Sequence, residues 1–251
     1  MLAQKCLTMV NFKQEGDVFR FKQFGIAQDR CPMKIGTDGI LLGAWAGGEH
    51  ARHILDIGTG TGLIAIMLGQ RASSAQIHAV EIDQASCEQA RENMAAAPWA
   101  KRLHLHAQSI QDFARTTDLQ FDLIVSNPPF FTGGTFSDRS DRTQVRHTVK
   151  MPHGDLLAAV RTLLAPDGRF AVILPLIEGL RFQELAETYH LYCTRLTEVH
   201  PRQNKPVERL LMEFAQDKQP LRKDQLVIQH DKNNHWTEAF IALTRDFYLD
   251  M

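Results

Sequence analysis

Asp56-Ile57-Gly58-Thr59-Gly60-Thr61-Gly62 is the stretch whose reading decides the fold. The apolar pair Ile54-Leu55 runs into it as a strand, and Leu63 to Arg71 leaves it as a helix. Glycine at every second position makes a turn with almost no side-chain bulk. Such a turn lets the backbone come close to a ligand and aims the free N–H groups of the helix start at it. Strand, glycine turn and helix in that order form the nucleotide-binding corner of an α/β fold. The bland alternative is a turn that only packs the helix on the strand.

The spacing discriminates between nucleotides. A dinucleotide fingerprint needs glycine at the first, third and sixth positions. Counted from Gly58 the sixth is Leu63, which disfavours a nicotinamide-dependent oxidoreductase. G-x-G-x-G with Asp56 two residues ahead instead resembles motif I of S-adenosylmethionine (AdoMet)-dependent methyltransferases. Glu81 closes the next strand, Ile77-His78-Ala79-Val80-Glu81, and Ile82 follows it. A carboxylate there can accept from both ribose hydroxyls and would repel a ribose phosphate, which AdoMet lacks. Asp56, Gly58, Gly60, Gly62, Glu81 and Ile82 are therefore candidate cofactor contacts, and Asn127, taken up below, is counted with them.

The chain has 251 residues, 44% of them hydrophobic, enough for a sizeable core in one domain. Its formal net charge of −1 means that any nucleic-acid partner must be met by a local basic patch. Cys6, Cys31, Cys87 and Cys193 are scattered without a C-x-x-C, which suits a reducing compartment and argues against disulfides or zinc. Met1 to Lys13 makes a poor signal peptide, and no run approaches the length of a membrane span. The expectation is a cytoplasmic, monomeric, metal-free enzyme. Residues 1–16 read as a flexible leader and 17–251 as a single domain, in which 17–50 is an extension covering the cofactor.

Phe19, Phe21 and Ile26 mark short strands around a bend at Gly25. Thr37 or Asp38 could cap a helix from Gly39 to Ala46. Those two residues admit two readings, part of an entry helix or oxygens offered to the amino group of a bound amino-acid moiety. From residue 52 the chain alternates. Strands are predicted at 53–57, 77–82, 103–107, 121–126 and 169–174, with helices near 62–71, 84–96, 153–164 and 178–189. Alternation with short connections means a parallel sheet with helices on both faces. Ala165-Pro166-Asp167-Gly168 is a turn feeding the fifth strand. Residues 190–200 and 207–214 read as an antiparallel hairpin at one sheet edge, and 226–230 as a possible further strand. Helical spacing of Trp236, Phe240, Leu243 and Phe247 suggests a closing helix. The expected architecture is a Rossmann-like, mostly parallel seven-stranded sheet with a terminal antiparallel hairpin, the plan of class I methyltransferases.

Ser126-Asn127-Pro128-Pro129-Phe130 follows the apolar strand 121–125. Ligands of such sheets bind outside the carboxyl ends of the strands, so Asn127 shares a rim with the glycine turn. Two successive prolines fix their φ angles and remove two N–H donors. The carbonyls of Asn127 and Pro128, with the Asn127 side chain, then present acceptors to an –NH2 group without a competing donor. Phe130 offers a flat face to a planar group. The segment resembles the (D/N/S)-P-P-(Y/F/W) motif of enzymes that methylate exocyclic or amide nitrogens. Asn127, Pro128, Pro129 and Phe130 are the candidate catalytic residues. Gripping the amine would orient its lone pair for in-line transfer.

Lys22-Gln23-Phe24, Asp29-Arg30-Cys31, the run from Met33 to Trp45 that contains G-T-D-G-I-L-L-G-A-W, and the closing segment Ala239 to Leu249 are similar to the bacterial tRNA1(Val) adenine-N6-methyltransferases. That resemblance covers residues 18 to 251. It implies N6-methylation of the adenine just 3′ of the anticodon (position 37) of a valine tRNA. It also implies that Thr37 and Asp38 lie near the methionine part of AdoMet, and that Glu81 binds its ribose. Two departures stand out. Phe130 replaces the tyrosine frequent in relatives, and Ser109 stands where relatives carry an acidic contact to the AdoMet adenine.

The long segment after Phe130 contains Phe131, Phe136, Arg139, Arg142 and Arg146, candidates for phosphate contacts and for wedging a flipped base. A solvated loop is the competing reading. The hairpin tip from Arg202 to Arg209, with Arg202 and Lys205 as the named contacts, forms a second basic candidate. His104 and His106 read as solvent-facing strand residues rather than metal ligands. Three rivals remain: an N-P-P enzyme acting on protein glutamine, DNA adenine or rRNA guanine; the oxidoreductase; and a non-catalytic RNA-binding module.

Overall fold

The computed structural model describes residues 18–31, 34–129, 151–231 and 235–250. The leader before residue 17 and the candidates Phe130, Phe131, Phe136, Arg139, Arg142 and Arg146 lie outside them. In chain order, the first elements are strands β1 (Val18–Arg20) and β2 (Gly25–Ala27), helix α1 (Thr37–Trp45), β3 (His53–Ile57) and α2 (Leu63–Arg71). Next come β4 (Gln76–Glu81), α3 (Gln84–Ala96), β5 (Leu103–Ala107), α4 (Ile110–Thr116), β6 (Phe121–Ser126), α5 (His153–Leu163) and β7 (Leu164–Pro175). The last are α6 (Leu176–Thr188), β8 (Tyr192–Arg202), β9 (Arg209–Ala215), β10 (Arg222–Gln229) and α7 (Glu238–Thr244).

The main sheet runs β10-β8-β9-β7-β6-β3-β4-β5. Strands β7, β6, β3, β4 and β5 are parallel, and β9 is antiparallel to both β7 and β8. The expected plan is present with one strand more than the predicted seven among the described residues. Strand β10 pairs parallel with β8, so the hairpin is flanked rather than lying at the edge. Its first four residues, Arg222 to Gln225, are all exposed, so no apolar alternation announces it. A charged outer strand of this kind also discourages edge-to-edge pairing with other chains.

Period-two alternation distributes the parallel strands between two cores. Ile54, Leu123 and Ala171 face a cluster with Leu41, Ile66 and Met94, from helices α1, α2 and α3. Their neighbours Leu55, Ile124 and Val172 face a second cluster with Phe113, Leu157 and Phe182, from helices α4, α5 and α6. The turn predicted at 165–168 is an excursion inside β7, since Leu164 and Arg169 pair with Phe121 and Leu123 respectively. Gly168 is required there, because a Cβ would lie 2.7 Å from the Phe121 carbonyl oxygen. The first bend falls at Phe21–Phe24, and Gly25 opens β2. Helix α1 begins at Thr37 with Gly36 as its N-cap and no capping side chain, so neither Thr37 nor Asp38 caps it.

The amino-terminal segment is fastened to α3. Buried Asn93 accepts from the Ala27 N–H at 2.9 Å and donates to the Ala27 and Thr61 carbonyls at 2.9 and 2.8 Å. Arg30 forms a two-pronged pair with Glu92. One buried amide thus holds β2, α3 and the glycine turn together.

His104 is exposed and meets Gln76, whereas His106 is half-buried, so only the first faces solvent as expected. The His106 and His78 rings stack at 5.2 Å with nitrogens 3.0 Å apart. Burial and the neighbouring imidazoles push His78 down to about 4. A depressed histidine pKa favours the neutral folded form, so the unfolded chain takes up the proton first as pH falls. Stability should therefore drop by on the order of 2 kcal/mol between pH 6.5 and pH 4, and His78→Phe should lose less over that window. Urea unfolding across this range checks it; parallel profiles for the two proteins would contradict it.

Candidate active site

Four strand ends form one rim. Ile57 of β3 pairs with Val80 of β4 and with Ser126 of β6, and Glu81 pairs with Ala107 of β5. The Ser126 hydroxyl donates to the Ile57 carbonyl at 2.9 Å, tying the last residues of β3 and β6 together. The chain segments that follow, Gly58 onward and Asn127 onward, therefore leave the sheet side by side.

Gly58, Gly60 and Gly62 all have positive φ, at 72°, 55° and 83°. A side chain at Gly58 or Gly60 would project into open space, whereas one at Gly62 would press on Met94 and Ala90 of α3. The first two glycines keep a concavity clear, and the third lets the turn pack. Asp56 is fully buried. Its Oδ2 accepts from the Thr59 hydroxyl at 2.6 Å and the Ala65 N–H at 3.2 Å, fixing both sides of the turn. Its Oδ1 is buried without a partner. Burial pushes this carboxyl up to about 7, the nearby Glu81 charge adding to the shift and the two hydrogen bonds opposing it.

Glu81 closes the concavity. One carboxylate oxygen accepts from the Gly60 N–H at 2.9 Å, and the other from the N–H groups of Ile82 and Asp83, both at 2.9 Å. Each oxygen is thereby aimed while retaining capacity to accept from a ligand hydroxyl. Ile82, 50% exposed, stands beside it as an apolar surface. Ser109 is the N-cap of α4; its hydroxyl donates to Asp112 Oδ2 at 2.6 Å and accepts from the Asp112 N–H at 3.0 Å. Its hydroxyl thus already serves the helix. The open glycine concavity and the oriented Glu81 together fit a neutral-ribose nucleoside such as that of AdoMet.

The N-P-P segment borders a second space. Asn127 and Pro129 line a cleft of about 600 Å³ together with Thr37 and Asp38 of α1 and Arg209 of β9. A Cβ on Gly39 would lie 4.0 Å from Asn127 Nδ2, so the start of α1 abuts the motif. Asp38 Oδ2 accepts from Arg209 Nε at 2.8 Å, an ion pair that joins positions 171 residues apart. Lys34, Arg209 and Trp236 line the cleft as well; the sequence places Arg209 in the basic hairpin tip and Trp236 in a closing helix, and nothing in it links either to Asn127. Arg202 and Lys205 lie at the β8–β9 tip; Arg202 reaches the Asp231 carbonyl, and the Lys205 carbonyl meets His200.

A family model described as the methyltransferase small domain matches residues 36–174. A tRNA1(Val) (adenine(37)-N6)-methyltransferase of Trichodesmium erythraeum is 48% identical, over 93% of this chain and 98% of that protein. The protein of the same name from Pectobacterium carotovorum is 44% identical, over 94% and 95% respectively. Among solved structures, a predicted O-methyltransferase from Agrobacterium tumefaciens superposes with a TM-score of 0.68 at 17% identity, covering 84% of this chain and 96% of that one. A glycopeptide N-methyltransferase complexed with S-adenosyl-L-methionine gives 0.54 at 13% identity, covering 74% and 100%. Both structural likenesses are of fold.

Gly60→Ala tests the concavity. A positive φ costs a residue with a side chain roughly 1–2 kcal/mol, and the new methyl group would occupy the open space beside Glu81. A folded protein that binds AdoMet at least about tenfold more weakly by calorimetric titration is expected. Unchanged affinity would move the cofactor elsewhere.

Proposed function

The chain belongs to the tRNA1(Val) (adenine(37)-N6)-methyltransferase family, and from that premise we propose that it methylates the exocyclic amino group of the adenine at position 37 of a valine tRNA, with AdoMet as donor. The observation that carries this reading is the adjacency of the glycine turn and the N-P-P segment, locked by Ser126. When bound, AdoMet supplies a methyl group on a positively charged sulfur.

The residues of the chain divide the remaining work. Gly58, Gly60 and Glu81 hold the nucleoside, with Ile82 against its ring. Thr37 and Asp38 meet the amino-acid end, Asp38 kept in place by Arg209. The Asn127 side-chain oxygen and the Pro128 carbonyl accept the two hydrogens of the adenine amino group. That nitrogen is a poor nucleophile because its lone pair is delocalised into the ring. Two acceptors on its hydrogens draw it toward a tetrahedral shape and aim the lone pair across the rim. Both oxygens also lie where positive charge develops on nitrogen as the new bond forms. The proton is then acidic enough to leave to water, so no strong base is needed. Phe130 stacks on the base. Arg139, Arg142 and Arg146, with Arg202 and Lys205, contact phosphates. In this reading the protein acts in the cytoplasm as a monomer; among the described residues no helix is long and apolar enough to cross a membrane.

A transcript of the valine tRNA incubated with labelled AdoMet should gain label, and replacing its target adenine by guanine should abolish it. Asn127→Ala should lower turnover by about 100- to 1,000-fold while AdoMet affinity changes by less than about threefold. Near-normal turnover in that variant would remove Asn127 from the role assigned to it. Undiminished label in the guanine transcript would overturn the acceptor.

A further inference from the structure

We propose that Trp236 is the stacking platform for a second, unpaired nucleobase of the RNA, one that flanks the adenine being methylated; the proposal rests on the tRNA reading above. Trp236 is 41% exposed, and among the described residues it is the one aromatic side chain of the large exposed apolar group. The other two tryptophans are committed elsewhere. Trp45 is buried and donates to Thr197, and Trp99 is half-buried and donates to the Ile66 carbonyl. Trp236 lines the same cleft as Asn127 and Pro129, together with apolar Ile228, Lys34, Glu208 and the ion-paired Arg209 and Asp38.

Its position is fixed by backbone rather than by chance packing. Trp236 bridges Gln229 at the outer edge of β10, and hydrogen bonds from His230 N–H to the His235 carbonyl and from Thr237 N–H to the Ile228 carbonyl bracket it at 2.9 and 3.0 Å. Phe240, itself buried, supports the indole from behind at 5.0 Å. A ring held this way loses little freedom when a base settles on it. The cleft, at about 600 Å³, lies within the range of roughly 300–1,000 Å³ typical of ligand sites, and one purine fills only part of it. An RNA strand that delivers an adenine to Asn127 brings its adjacent nucleotides to this cleft. Stacking is the recognition open to an unpaired base, worth about 1–3 kcal/mol per aromatic by alanine substitution.

The test uses the full chain and an anticodon stem-loop RNA, intact or with an abasic site immediately 5′ or 3′ of the target adenine. Methyl transfer by the wild type to the intact RNA comes first. Its absence overturns the tRNA reading and this proposal with it. Given transfer, Trp236→Ala should raise KM for the RNA about 5- to 150-fold, with kcat and AdoMet affinity within about twofold, while Trp236→Phe keeps KM within about threefold. One of the two abasic RNAs should weaken binding to the wild type as much as Trp236→Ala does, and combining the two should add nothing further. RNA should quench wild-type tryptophan fluorescence, and Trp236→Phe should abolish that quenching while still binding. An unchanged KM in Trp236→Ala, additive losses with both abasic RNAs, or quenching that persists in Trp236→Phe would each overturn the proposal and leave the tRNA reading standing.

Discussion

The parallel pairing of β3 with β6 is the constraint on which the site depends. Ile57 and Ser126 are register partners, and the Ser126 hydroxyl bonded to the Ile57 carbonyl closes the pair at its carboxyl end. The glycine turn and the N-P-P segment are 69 residues apart along the chain by that bond, yet they leave the sheet from adjacent strands. A slip of one residue in this pairing would turn every side chain of one strand to the opposite face. The alternation of Ile54 and Leu55, and of Leu123 and Ile124, between two separate cores holds the register against such a slip.

Around that pairing the chain uses polar groups sparingly and each in more than one place. Asp56 fixes Thr59 and Ala65 on the two sides of the turn. Asn93 joins the turn to β2, so the segment before α1 is anchored by the same amide that supports the Thr61 carbonyl. Asp38 and Arg209 join the start of α1 to the descending strand of the hairpin. These contacts bring the amino-terminal and carboxyl-terminal parts of the chain to the cleft that Asn127 also lines. The cleft is their common boundary, and neither part builds it alone.

Much of this was legible in the sequence because the signals are local. The strand boundaries at 53–57 and 121–126 follow from apolar runs cut off by Gly58 and by Asn127-Pro128, and those at 103–107 from leucine alternating with histidine; β3, β5 and β6 have those limits. The glycine turn and the N-P-P segment announce themselves by residue type. What escaped was decided by tertiary contact. Strand β10 opens on four exposed polar residues and exists because β8 offers it an edge. Helix α4 is one short piece begun by Ser109 as its cap, too brief for apolar periodicity to announce it. Trp236 shares the spacing of Phe240 and Leu243 but precedes the α7 cap Thr237, so periodicity placed it in a helix it does not join. The Asp38–Arg209 pair spans most of the chain and leaves no mark on either neighbourhood.

The central claim is that this rim presents an adenine amino group to AdoMet. The most direct measurement is incubation of the protein with labelled AdoMet and unmodified total tRNA, followed by nucleoside mass spectrometry. The account predicts that N6-methyladenosine is the labelled nucleoside and that it resides in a valine tRNA. Label in a methylguanosine, or in protein or DNA alone, would contradict it.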